Sequence, residues 1–223
     1  MDPNAHVPLL RRAGMVLVAA GVLDIAVMAY CIVSGISYSS SLNVFAVVAG
    51  AFLVRGSLVA AGLVRWVSVF FLAALCALAV AWPVVQPLDL TLTQVRLSPS
   101  AAAVSALLLG AVACLFFWMQ RQLGRPPVIV ATEAAGKKVR SMRVPAAAGV
   151  ALVVLLAAVL PFALSGESGA KAKAVAQGQL GAGYKYHVSS LSVSTTGRGI
   201  SVSARVTAWN DSEVRVVPVE WSE

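Results

Sequence analysis

Charge is scarce in this chain. Only 12% of its 223 residues are Asp, Glu, Lys or Arg, 59% are hydrophobic, and the mean hydropathy is +0.86. Soluble chains carry about 25% charged and about 45–50% apolar residues. Both departures exclude an ordinary soluble globule and point to a polytopic membrane protein. Cysteine is scarce as well. Cys31, Cys76 and Cys114 each lie inside an apolar run, with no CxxC and no Cys/His cluster. That excludes a disulfide framework and a metal site, and the three read as small apolar packing residues. Cys31 is no lipoprotein cleavage site, because bulky Tyr30 precedes it where a small residue is required. Histidine occurs twice, as His6 and His187. The orientation derived below puts them on opposite sides of the membrane, so they cannot meet, and no nucleophile–base pair or cofactor site is expected.

What is present is a series of apolar runs separated by short polar segments. About 20 helical residues cross a bilayer core, and the runs predict five spans at about 13–33, 42–64, 66–86, 101–119 and 144–164. The first is longer than the 7–15-residue apolar core of a signal peptide and is interrupted by Asp24, so it reads as an uncleaved anchor. The second is ambiguous around Arg55. Either it runs past Arg55 and turns near Gly62, or it ends at Arg55 and an interfacial segment follows to Arg65. Trp66, Trp82 and Trp118 stand near span ends, as interfacial aromatics do. Pro83 and Pro87 close the third span, and residues 87–100 read as a polar loop. The fifth span opens with Pro145, in a first-turn position that tolerates proline.

The net charge of +8 tempts one toward nucleic acid, but its location argues otherwise. The basic residues fall mainly in short segments flanking apolar runs. Residues 1–12 and the 55–65 turn carry two Lys/Arg each. The 120–143 loop carries six (Arg121, Arg125, Lys137, Lys138, Arg140, Arg143) against the single acid Glu133. The loops at 34–41 and 87–100 carry none and one (Arg96). The positive-inside rule then puts the N-terminus in the cytoplasm of a bacterial inner membrane and, after five spans, residues 165–223 outside. The 120–143 loop reads as a topology determinant; beside an inner leaflet it would also attract anionic lipid, at about 1 kcal/mol per basic residue. The lipid bilayer is thus the first partner implied, and nucleic acid is not one.

The tail changes character. Gly166–Gly183 is small and polar and predicts a short helix. From Tyr184 the period becomes two: Tyr184, Tyr186 and Val188 share a face, and the phase then slips so that Leu191 and Val193 continue it, which suggests a bulge. Gly197 and Gly199 signal a turn. Ile200, Val202, Ala204, Val206 and Ala208 alternate with polar residues as a half-buried strand. Asn210-Asp211-Ser212 makes the next turn, and Val214–Trp221 reads as a third strand that Pro218 would place at an edge. The expected fold is therefore an α-helical polytopic membrane protein of five transmembrane helices, with a small C-terminal α+β domain containing a three-stranded antiparallel meander. Below about 60 residues such a domain buries little core, so it is expected to lean on the membrane, on its own copies or on a partner.

Four residues stand out as candidate sites. Asp24 lies mid-span, where an ionised carboxylate costs about 2.5–3.5 kcal/mol on insertion scales and normally has a partner. Counted from the outer ends of their spans, Asp24 and Arg55 differ in depth by roughly 6 Å, so an intramembrane Asp24–Arg55 pair is the first expectation. A protonated Asp24 bonded to nearby Ser or backbone groups, or a proton relay through it, are the alternatives. Trp209 and Trp221 lie on the outer domain, where exposed tryptophan marks a membrane- or partner-facing surface; a packed core is the competing reading. His187 alone on a polar strand face reads as a solvated histidine, and Ala106-xxx-Gly110-xxx-Cys114 has the spacing that lets another helix approach closely. The last span, short helix and strand-rich tail resemble the arrangement in respiratory-oxidase assembly factors, over less than a third of the chain and without a shared motif. The expected function is a non-enzymatic accessory or scaffold protein whose outer domain contacts an envelope partner or a second copy. The alternative is a small proton- or ion-coupled transporter component using Asp24.

Overall fold

The computed structural model describes residues 5–35, 42–196 and 199–222. The loop at 36–41, the start of the N-terminal segment and the turn at Gly197 lie outside the described residues. The elements run α1 (Val7–Val33), α2 (Leu42–Val54), α3 (Leu58–Val85), α4 (Leu88–Leu97), α5 (Pro99–Leu123), α6 (Pro126–Ala134), α7 (Arg143–Ser165), α8 (Glu167–Leu180), β1 (Lys185–Thr196), β2 (Gly199–Trp209) and β3 (Val214–Ser222). Among the described residues, four helices are long and apolar enough to cross a membrane: α1, α3, α5 and α7.

The expected span at 42–64 is not formed. Helix α2 has 13 residues, or about 20 Å of helix, against a bilayer core of about 30 Å. What ends it is local. Gly56 takes φ +80°, the left-handed region that glycine enters without a Cβ penalty. The Gly56 and Ser57 amides donate to the Leu53 and Phe52 carbonyls at 2.9 and 3.0 Å, the paired bonds of a Schellman stop. Ser57 then caps α3, its Oγ accepting the Ala60 amide at 3.3 Å, as an N-cap hydroxyl does. Arg55-Gly56-Ser57 is thus a stop and a start in three residues. Helix α3 runs unbroken through Arg65 and Trp66, where a boundary was expected.

Packing divides the described chain into two compact units. The first comprises residues 1–75 and 111–149. Its core gathers Leu10, Ala13 and Leu17 of α1, Ala49 and Leu53 of α2, and Ala61 and Val64 of α3 with Met119 and Leu123 of α5. Helices α1 and α2 meet backbone to backbone: a Cβ on Gly14 would lie 2.7 Å from both the Gly50 carbonyl oxygen and the Val54 nitrogen. Gly50 in turn faces Gly14 and Val18, so the two helices are antiparallel, and Arg55 returns to the end of α1 that holds Arg11 and Arg12. The basic 120–143 segment is not all loop. Pro126 and Pro127 open α6, which buries Val128 in the same core.

The second unit comprises residues 76–110 and 150–223. The expected polar loop at 87–100 contains α4, with Asp89 in its first turn and Arg96 in its last, the charge order that suits a helix dipole. Trp82 Nε1 donates to Thr91 Oγ1 and Gln86 Nε2 to Gln94 Oε1, each at 3.1 Å, so α4 folds back on the end of α3. The sheet has the order β1-β2-β3, antiparallel throughout. Its register shifts between Val188 and Ser190, where the alternation slips in the sequence. Pro218 lies on edge strand β3 opposite Arg205. One face, Val188, Ala204, Val206, Val217 and Val219, closes over Ala172 and Ala176 of α8. Asn210 Oδ1 accepts the Ser212 and Glu213 amides at 2.9 Å and makes the β2–β3 turn.

Candidate functional site

The second unit contains a cavity of about 380 Å³ lined by Gln86 and Gln94, by Lys173 of α8, and by His187, Ser189 and Thr207 of the sheet. The sheet face that lines it is the one opposite the α8 core. One ion pair ties that face to α4. Lys185 Nζ donates to Asp89 Oδ2 at 2.7 Å. With both side chains 66% exposed, this pair contributes only about 0–1 kcal/mol and acts mainly to set position. Thr207 and Trp209 are also buried, 6% and 5% exposed, although their alternation places them away from α8. At this end β2 is covered on both faces.

His187 is half-buried rather than solvated. Burial lowers its pKa from the ordinary 6.5, and the positive charge of Lys173 lowers it further. The site therefore holds a neutral imidazole beside an ammonium group, an amide pair and two hydroxyls that bond each other, Ser189 and Thr207. That set suits hydrogen bonding to a small polar or anionic group. The sign of the pH effect follows. A base whose pKa is lower in the folded than in the unfolded state is protonated preferentially on unfolding, so stability falls with pH once pH drops below about 6.5. The sheet should unfold more readily at pH 5 than at pH 7.5, and His187→Gln should flatten that part of the profile. Thermal unfolding of both proteins across this range, read by near-ultraviolet circular dichroism, checks it.

The structure does not bring Asp24 and Arg55 together. Asp24 is half-buried in the middle of α1, while Arg55 is exposed at the end of α2. The Gly14–Gly50 register carries Asp24 toward the start of α2, leaving it about 20 Å of helix from the level of Arg55. The 6 Å expectation fails because it takes the outer ends of α1 and α2 as level, whereas the Gly14–Gly50 register sets Asp24 beside the start of α2. Trp209 does not form a partner surface either, being a core residue. Trp221 is half-buried against the domain core, with Lys171 Nζ 5.5 Å from its ring centroid. At Gly110 no atom of the described residues comes within 4 Å of a built Cβ, so nothing described uses the small-residue spacing there. The residues that composition did not single out are Gln86, Gln94 and Lys173. The available signal was Pro87, which turns the chain so that two glutamines eight positions apart meet.

These features define a class: a mostly helical protein with four membrane-capable helices and a C-terminal three-stranded antiparallel sheet. Comparisons with known protein families, with curated proteins and with solved structures find no match to this chain.

Proposed function

We propose that the chain is a non-enzymatic accessory protein of a bacterial inner membrane, with the N-terminus in the cytoplasm and the C-terminal sheet outside, presented to an envelope partner. The observation that carries this reading is the mounting of the sheet. It is packed on α8, tied to α4 by the Lys185–Asp89 pair and buried on both faces at one end, while β1 and β3 remain its edges. An edge strand offers unpaired backbone groups to an incoming strand, the basis of recognition by strand addition. Val216 on β3 is 61% exposed and adds an apolar contact on that edge. The orientation rests on charge and on α2. The ten basic residues of 1–12, 55–65 and 120–143 all belong to the first unit. Helix α2, although shorter than a full span, packs antiparallel on α1 and brings Arg55 back to the Arg11–Arg12 end before α3 begins, so the number of crossings stays odd.

The test is a photo-crosslinking residue at Ser192 on β1 and at Val216 on β3, with Val154 on α7 as the apolar-helix control. One discrete protein adduct should form from a strand position and not from Val154, and a cysteine placed at Ser192 should react with a reagent confined to the periplasm. No adduct from either strand position in a folded protein, or labelling only from the cytoplasm, would overturn the reading.

A further inference from the structure

The first unit holds a second cavity, of about 390 Å³, and its polar lining is almost entirely cationic. Arg65 of α3 faces Lys137, Lys138 and Arg140 across it, with Thr132 as the other polar neighbour and no acidic side chain among the lining residues. The remaining wall is apolar, including Leu58, Leu123 and Met142. A cluster of like charges around an apolar hollow is unfavourable on its own, so something in the fold must hold it there.

Two observations point to what the hollow takes. Arg65 Nε is buried and makes no hydrogen bond to any of the described residues, and an unsatisfied buried donor costs about 1–3 kcal/mol. Gly124 leaves room for the guanidinium: a Cβ there would lie 3.2 and 3.3 Å from Arg65 Nη2 and Cζ, and 2.9 Å from the Gln120 carbonyl oxygen, so alanine would push the guanidinium aside by a few tenths of an ångström. The loop that brings the other three cations is positioned by α6, whose end at Gly136 (φ +68°) carries the same paired stop as α2. The Gly136 amide bonds the Glu133 carbonyl at 2.9 Å and the Lys137 amide bonds Thr132 at 3.0 Å. The cationic loop therefore leaves a folded helix in a set direction.

We infer that this cavity is a binding site for the phosphate of an anionic membrane lipid, with the half-buried Arg65 as its anchor. A phosphate supplies the acceptors that the guanidinium fork matches, and three further cations neutralise a headgroup's charge. The depth agrees. From Trp66 to Val85 helix α3 carries no charged residue, about 20 residues and so about one bilayer core. Arg65 thus stands one position outside the apolar stretch, at headgroup level, with Trp66 in the aromatic belt. The apolar wall accommodates the glycerol and first methylenes of the acyl chains, which a free phosphate lacks.

The experiment uses the full chain in a non-ionic detergent, titrated with phosphatidylglycerol, with phosphatidylcholine and with inorganic phosphate, and read by native mass spectrometry. One phosphatidylglycerol per chain should be retained, with phosphatidylcholine bound far more weakly. Arg65→Gln should weaken retention by about ten- to a hundredfold, the range for a lost hydrogen bond to a charged group. Gly124→Ala should weaken it in the same direction while leaving all four cations present, and so keeps the test valid if Arg65→Gln fails to fold. Displacement of the lipid by millimolar inorganic phosphate would reassign the site to a free anion. Equal retention of phosphatidylcholine, or retention unaltered in both variants, would overturn the proposal.

Discussion

Trp209→Ala should unfold the C-terminal sheet while the apolar helices stay folded. Trp209 is the last residue of β2, paired with Lys185 on one side and Val214 on the other, and it is 5% exposed. Truncating a buried tryptophan costs about 3–5 kcal/mol in transfer and cavity terms. A folded unit of about 60 residues holds only about 3–9 kcal/mol in all, so this one change removes most of its margin. Hydrogen exchange followed by mass spectrometry reads the result by segment. Peptides covering residues 185–222 should lose protection, and those covering α3 and α5 should keep it. Trp221→Ala serves as the comparison. Its ring is only half-buried at the edge strand, and its loss should cost clearly less. Retained protection of the sheet in Trp209→Ala would mean that Trp209 is not a core residue.

The second large effect concerns the α1–α2 crossing. Gly14→Val and Gly50→Val should each destabilise the first unit by about 1–3 kcal/mol, the usual cost of overpacking. A Cβ at Gly50 would meet Val18 Cγ2 at 2.7 Å and the Gly14 carbonyl oxygen at 2.9 Å. Side chains can rotate away, but the facing backbone atoms cannot, so the helices must separate. Because the two sites share one contact, the double variant should cost less than the sum of the singles. Gly110→Val is the control: space around that Cβ position is open among the described residues, and a helical glycine is a poor helix former to begin with. Thermal unfolding in detergent should place both single variants well below the parent and Gly110→Val near it. Equal behaviour of all three would remove the crossing from the account.

The same crossing explains why the Asp24–Arg55 expectation failed. A depth count from the outer ends treats Val33 and Leu42 as level, and a count along one chain says nothing about register against its neighbour. Register was decided by which residues lack side chains: Gly14 and Gly50 let the backbones touch, and that contact carries Asp24 and Arg55 to opposite ends. The boundary between α2 and α3, by contrast, was legible. Arg55-Gly56-Ser57 contains a C-terminal glycine followed at once by an N-cap serine, a local signal that hydropathy averaging hid because both sides of it are apolar. Helix α4 was hidden for the opposite reason. Its composition is polar, and its helical order shows only in Asp89 at the start, Arg96 near the end and Leu90 buried between them.

What the sequence determined by itself was whatever rests on composition and on strict period. The long apolar runs of α1, α3, α5 and α7, the gathering of basic residues between them, and the three strands with their slip after Val188 are all of this kind, because length, charge and side-chain alternation are properties of a single chain segment. Only the tertiary structure decided the rest. It put Trp209 in a core instead of on a surface, drew His187 half out of solvent, and set the Arg65 guanidinium against Gly124. Burial, desolvation and close approach depend on what a second segment brings to the same place, and sequence spacing does not carry that information.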